Sequence, residues 1–182
     1  MKKDERSSGV VKSEYSDSRP VIEKEQPNFE LSGLLAEDQN QRNGVALTFT
    51  VSPDAAVPDT KLHDWRLFEF KGEENTHINK LASYSCFLFG KDRRLEESRA
   101  GGEEILFIPV DHPTCSRQHA VIQFRLKRGE AVPYLMDLNS TNKTFLNKRP
   151  VEEGRYIELR HQDVIKFGQS SREYVLLDAM HR

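Results

Sequence analysis

From about residue 45 onward the large apolar side chains fall in short runs of β-branched, aromatic and leucine residues, cut by Gly, Asn, Asp and Pro. Runs with period-2 character or unbroken hydrophobicity, and without a comparably long helical stripe, specify strands rather than helices. The sequence predicts strands over 65–70, 84–89, 105–108, 118–126, 134–138, 144–146, 156–159, 164–167 and 174–177. Within 118–126, Ala120, Ile122, Phe124 and Leu126 share one face and Gln123 and Arg125 the other, as in a strand with one wet side. Many short strands joined by turn-rich loops make a β-sandwich or a closed barrel, so the fold class is all-β. Residues 91–104, mostly charged and containing Gly101 and Gly102, read as an exposed loop between buried strands.

The first 44 residues obey a different composition. They hold 7 Lys and Arg against 9 Asp and Glu, which accounts for the net charge of −2 of the whole 182-residue chain. Residues 1–26 are too poor in apolar area to offset the entropy of ordering and read as a disordered tail. Residues 27–44 read as a docking segment, because Phe29, Leu31, Leu34 and Leu35 cluster in an otherwise polar stretch around Gly33. Such an island either docks on a partner or packs back on its own domain. Residues 45–61, part strand and part Pro-rich, form a linker or lead-in; 62–178 form the folded domain and 179–182 its end. No run of about 18 apolar residues is present that could span a bilayer, so no membrane partner is expected. Two cysteines, Cys86 and Cys115, and no apolar leader point to a reducing compartment. A near-neutral balance argues against wrapping nucleic acid by bulk charge, which leaves RNA contact indirect.

Phosphate-loop, dinucleotide, zincin and nucleophile-elbow signatures are all missing, which disfavours an enzyme. His112, Cys115 and His119 have a spacing that a zinc site or a Cys–His pair could use, but a fourth ligand or an orienting carboxylate is not apparent. No metal, cofactor or catalytic residue is therefore assigned. A different reading explains more residues. Gly90-Lys91, the stretch Ser116 to His119 and the stretch Asp137 to Asn147 each come at an end of a predicted strand and supply hydroxyls, an ammonium, a guanidinium and an amide. Charge-assisted donors fixed at strand ends are what a phosphate dianion requires.

The order Gly90-Lys91, Ser116-x-x-His119 and Asp137-Leu138-x-Ser140-x-Asn142-Lys143-Thr144-x-x-Asn147 resembles the signature of forkhead-associated (FHA) domains over residues 62–178. The resemblance implies an eleven-stranded β-sandwich whose loops at one end bind phosphothreonine peptides. It further implies that Lys91, Ser116 and Arg117 meet the phosphate or the backbone beside it, and that Thr141 and Asn142 contact the peptide main chain. His119 would support the binding loop, and Gly90 would let the strand end turn closely. Two positions depart from the family. Lys91 stands where an arginine is expected and lacks its planar fork, and Lys143 replaces a glycine, costing about 1 kcal/mol if φ is positive there. Lys143, Arg93 and Arg94 could add charge near the phosphate. The loop set is thus either a reader of reduced strength or a degenerate scaffold.

The island Pro27-Asn28-Phe29-Glu30-x-Ser32-Gly33-Leu34-Leu35, the stretch Ile108 to Pro113 and the stretch Lys166 to Leu177 resemble the Smad nuclear-interacting protein family. Fungal members of that family are the FHA subunit of the pre-mRNA retention and splicing (RES) complex. The resemblance implies a nuclear adaptor in splicing and in retention of unspliced RNA. By the same resemblance Phe29, Leu31, Gly33, Leu34 and Leu35 dock on an RNA-recognition-motif subunit, which also holds a third RES subunit and attaches to the spliceosome. A phosphothreonine-bearing protein would be the partner of the loops. The alternatives are a free-standing phosphothreonine-reading signalling module and an FHA scaffold that binds no phosphate.

Overall fold

The computed structural model describes residues 40–96 and 105–181. Among the described residues there are thirteen strands: β1 (Gln41–Arg42), β2 (Val45–Ala46), β3 (Trp65–Lys71), β4 (Glu74–Lys80), β5 (Cys86–Gly90), β6 (Ile105–Pro109), β7 (Ala120–Lys127), β8 (Glu130–Asp137), β9 (Thr144–Leu146), β10 (Arg149–Pro150), β11 (Ile157–Glu158), β12 (Val164–Phe167) and β13 (Arg172–Asp178). β1 and β2 form a small hairpin. The other eleven make a six-stranded sheet, β10-β9-β12-β13-β3-β4, and a five-stranded sheet, β11-β8-β7-β5-β6. All pairs in these two sheets are antiparallel except β5 with β6, which run parallel. The architecture is the eleven-stranded sandwich that the loop motifs implied.

Leu67, Ile165, Phe167, Tyr174 and Leu176 from the six-stranded sheet interleave with Phe87, Phe89, Ile122, Phe124 and Leu135 from the five-stranded one, all fully buried. Aromatic rings dominate the end of this core nearest the loops. Phe89 stacks on Phe167 at 4.9 Å, and Phe167 lies 5.1 Å from Tyr174. Such contacts fix the strand ends that carry the loops, because offset and edge-on aromatic pairs add about 1 kcal/mol each to their area burial.

The outer face of the five-stranded sheet is not wet. Residues 45–56 lie across it like a strap, and Phe49 with Val45, Leu47 and Val51 packs on Cys86, Leu88, Phe107, Val121 and Met136. β5 is therefore buried on both faces, which is why its sequence is an unbroken apolar run. The expectation of a wet face on β7 fails for the same reason: Gln123 is fully buried and accepts a hydrogen bond from the Tyr156 hydroxyl, whereas Leu126 is exposed. Backbone bonds tie the strap down. Ala56 N–H donates to the Phe124 carbonyl at 3.0 Å, and Leu126 N–H donates to that of Asp54 at 2.8 Å. Arg125 clamps Asp54 with its guanidinium and holds that carboxyl down to about 2.

β4 carries one apolar residue, Ile78, in a polar sequence at a sheet edge, so no hydrophobic pattern marks it. The strand part expected within 45–61 shrinks to β2, the rest packing by side chains rather than by a ladder. Of the charged loop, the described part holds a 3-10 turn, Arg93–Leu95, whose leucine is fully buried beneath the strap. Phe49→Ala should lower unfolding free energy in urea by about 3 kcal/mol. A change under about 0.5 kcal/mol, the value typical of a surface position, would mean that the strap is only a tether.

Candidate functional site

Three segments meet at one end of the sandwich: the residues that follow β5, the β6–β7 connection and the β8–β9 connection. The β5 and β7 backbones remain paired as they leave the sheet, with His119 N–H on the Phe89 carbonyl at 2.8 Å and Lys91 N–H on that of Ser116 at 3.2 Å. Gly90 lies against the opposing chain. A Cβ there would come within 2.0 Å of the Arg117 carbonyl oxygen, so glycine is required for close approach.

His119 is fully buried, its ring edge-on to Phe167 at 5.5 Å. Nδ1 accepts from Ser116 N–H at 3.0 Å, and Nε2–H donates to the Lys143 carbonyl at 3.3 Å. One neutral imidazole thus joins two loops. Burial pushes its pKa below the ordinary histidine value, which keeps Nδ1 an acceptor. Asp137, at the end of β8, does the same work on the third connection. Its carboxylate accepts from Ser140 N–H at 2.8 Å and from the Ser140 and Thr144 hydroxyls at 2.6 Å each. Lys143 sits at φ 61°, the left-handed conformation that the family glycine would take without strain.

On this frame stand the side chains expected to bind. Ser116 is half-buried and accepts from Thr141 N–H at 3.2 Å, so its own hydroxyl proton remains available to a ligand. Thr141 and Arg117 are exposed. The Lys91 ammonium is exposed and donates to the Pro113 carbonyl at 3.2 Å. Asn142 faces inward as well as outward: its amide nitrogen holds the Thr114 carbonyl at 2.8 Å.

The supplementary cations are otherwise engaged. Arg93 is paired with Glu96 and Asp111, Arg94 grips Asp92 through two nitrogens, and Lys143 is paired with Glu153. That grip holds the Asp92 carboxyl below the usual carboxylate range. Lys91 and Arg117 make no ion pair among the described residues. Their charges, with the Ser116 and Thr141 hydroxyls, form a donor set suited to an anion.

His112, Cys115 and His119 do not converge. His112 Nδ1 pairs with the Thr114 hydroxyl at 2.8 Å, the Cys115 thiol is buried against the Phe167 carbonyl, and His119 is engaged at both nitrogens. Burial also pushes the Cys115 thiol up, away from nucleophilic use. Among the described residues no group of three His, Cys, Asp or Glu is placed to hold a metal ion. The docking residues Phe29, Leu31, Gly33, Leu34 and Leu35 lie outside the described residues.

Gln118 is a site residue that the sequence concealed, being a spacer in the Ser-x-x-His pattern. Its carboxamide oxygen accepts from Thr48 N–H at 2.9 Å and from the Thr48 hydroxyl at 3.1 Å, and its nitrogen donates to the Ala46 carbonyl at 2.8 Å. The binding loop is thereby fastened to the strap.

A sandwich with these loops is an FHA domain, and the FHA-domain family model matches residues 102–168. The chain is 48% identical over 164 residues to the FHA domain-containing protein DDL of Arabidopsis thaliana, covering 85% of this chain and 48% of that protein. It is 44% identical over 169 residues to Smad nuclear-interacting protein 1 of Mus musculus, covering 88% and 41%. The chain thus spans less than half the length of these two relatives. To pre-mRNA leakage protein 1 of Saccharomyces cerevisiae it is 34% identical over 161 residues, covering 79% of each. A solved structure of the yeast Pml1 splicing factor, described with its integration into the RES complex, superposes with a TM-score of 0.61 at 29% identity, over 75% of this chain and all of that one. The chain belongs to the FHA-domain family that includes Smad nuclear-interacting protein 1 and yeast pre-mRNA leakage protein 1.

Because the His119 pKa is lower folded than unfolded, its contribution is present above about pH 6.5 and is lost as pH falls from there toward the folded value. The urea midpoint should therefore drop between about pH 7.5 and about pH 5.5, and drop less in His119→Asn, which cannot titrate. Equal drops in the two proteins would remove His119 as a titrating support.

Proposed function

We propose that this chain is a non-enzymatic nuclear adaptor in pre-mRNA splicing and in retention of unspliced RNA, acting as the FHA subunit of a RES-type complex. Its relationship to yeast pre-mRNA leakage protein 1 and the likeness to Pml1, a splicing factor integrated into the RES complex, support this reading. The N-terminal segment, through Phe29, Leu31, Gly33, Leu34 and Leu35, docks on the RNA-recognition-motif subunit, and through it the chain joins the third subunit and the spliceosome. Contact with RNA is indirect.

The FHA loops read phosphothreonine, with Lys91, Ser116 and Arg117 on the phosphate and Thr141 and Asn142 on the peptide backbone. The observation that carries this reading is the Ser116 hydroxyl, fixed by Thr141 N–H and by the His119 bond to its own backbone, in a loop set that also carries Lys91 and Arg117, two cations without carboxylate partners among the described residues. Binding needs only such fixed donors; it needs no base or nucleophile. One observation favours the scaffold alternative: the Lys91 ammonium already bonds to the Pro113 carbonyl and offers a single point charge in place of an arginine fork.

Calorimetric titration with a degenerate phosphothreonine peptide pool and its unphosphorylated twin separates the two. A working reader binds only the phosphorylated pool, loses at least about tenfold in affinity with Ser116→Ala, and gains with Lys91→Arg. A scaffold binds neither pool at millimolar peptide. For the tail, Phe29, Leu34 and Leu35 changed together to Ala should abolish capture of the RNA-recognition-motif subunit in pull-downs, and retained capture would sink the docking assignment.

A further inference from the structure

The strap reaches the phosphate-facing loop through one side chain. Along residues 45–49 the strap alternates as a strand does: Val45, Leu47 and Phe49 pack on the five-stranded sheet, while Ala46 and Thr48 are exposed. Gln118, itself buried, supplies what a neighbouring strand would. Its carboxamide oxygen accepts from Thr48 N–H at 2.9 Å and its nitrogen donates to the Ala46 carbonyl at 2.8 Å, so one planar group satisfies a backbone donor and a backbone acceptor that no ladder satisfies here. Among neutral side chains only asparagine and glutamine pair a carbonyl acceptor with N–H donors in this way.

The strap side of this clasp is firmly held. Phe49 is buried in the outer apolar cluster, the Asn40 amide donates to the Leu47 and Phe49 carbonyls at 3.1 and 2.9 Å, and the Arg42 guanidinium donates to the Ile105 carbonyl at 2.7 Å. On the loop side Ser116 is held by His119 and Thr141. Arg117 is held less. Its side chain is exposed and makes no ion pair among the described residues, and its carbonyl accepts from Asp92 N–H at 3.2 Å. A cavity of about 310 Å³, bounded by Ala46, Thr48, Asp92, Ser116 and Arg117, lies between strap and loop at this point, and the apolar cluster under the strap includes none of residues 116–118. The carboxamide of the next residue, Gln118, therefore bridges a gap that side-chain packing leaves open.

We infer that Gln118 is a positioning residue of the phosphate site: it fastens the loop to Ala46 and Thr48 of the strap, and so fixes the backbone from which the Arg117 guanidinium meets the phosphate. This role rests on the phosphothreonine-reading function proposed above. A cation whose backbone is fixed beforehand loses less entropy on binding than one on a loose loop. Ser116 does not depend on the clasp, because its bonds come from His119 and Thr141. The strap lies upstream of residues 102–168, so the working reader is larger than the span that the FHA-domain family model matches.

The test is fluorescence anisotropy with the full chain, a labelled phosphothreonine peptide drawn from the degenerate pool, and its unphosphorylated twin. The variants are Gln118→Met, Arg117→Ala, Ser116→Ala and the two doubles that combine Gln118→Met with each of the others, at a temperature where urea curves show every one to be folded. Gln118→Met should weaken phosphopeptide binding about fivefold, the worth of roughly one hydrogen bond. Arg117→Ala should cost about tenfold in the native background, as loss of a charge-assisted bond does, but no more than about twofold beside Gln118→Met, since residues that act as a unit are not additive. Ser116→Ala should cost the same factor in both backgrounds. Native affinity in Gln118→Met, or an Arg117→Ala cost that Gln118→Met leaves unchanged, overturns the positioning role and leaves the reader standing. Equal shrinkage of the Arg117 and Ser116 costs would mean that the whole loop has loosened, and overturns it as well. Binding of neither peptide by the native chain removes the reader and the positioning role together.

Discussion

Two polar side chains with no access to solvent, His119 and Asp137, hold the loop end of this sandwich in place. Between them they accept or donate five hydrogen bonds, to Ser116, Lys143, Ser140 and Thr144. Left without a partner, each buried group would cost about 1–3 kcal/mol, so the bonds are made in full or the loops do not close. The aromatic core supplies the other half of the constraint. Phe167 touches His119 on one side and Phe89 on the other, so the imidazole is positioned by the same packing that joins the two sheets. The exposed side chains inherit rigidity from this frame rather than from one another, and a set of donors aimed in advance loses little entropy on binding.

The strap extends the same logic to the far side of the five-stranded sheet. Phe49 and its neighbours bury an outer face that would otherwise expose Leu88, Phe107 and Val121. The Gln118 carboxamide then fastens this strap to the loop that carries Ser116. The strap is thus part of the wall beside Ser116 and Arg117. In the proposed adaptor, two weak contacts on one chain, tail and loops, would gain from linkage inside an assembly.

Much of this was legible in the sequence because period-2 hydrophobicity and turn residues report directly on strands. The runs at 144–146 and 164–167 match β9 and β12 residue for residue, and the others are displaced by only a few positions. The frame of the site was legible through resemblance to the FHA signature, since Ser116, His119, Asp137 and Asn142 stand in its order. What escaped had no local signal. β4 is a polar edge strand with a single apolar residue, paired through its backbone. The burial of Gln123 and the clasp by Gln118 depend on a strap remote in sequence, and no pattern within β7 or its loop encodes that cover. The supplementary cations Arg93, Arg94 and Lys143 were legible as charge but not as pairs, because their carboxylate partners are set by the turns of the chain.

A fixed frame that would present Lys91, Ser116 and Arg117 to one phosphate group, and Thr141 and Asn142 to the peptide backbone beside it, is therefore the physical core of the proposed function. Amide chemical shifts of the isotope-labelled chain, followed through titration with a phosphothreonine peptide, test it most directly. Shifts confined to these residues and their loop neighbours, with β4 and β13 unmoved, are the expected result. Shifts centred elsewhere on the sandwich, or none at saturating peptide, would contradict it.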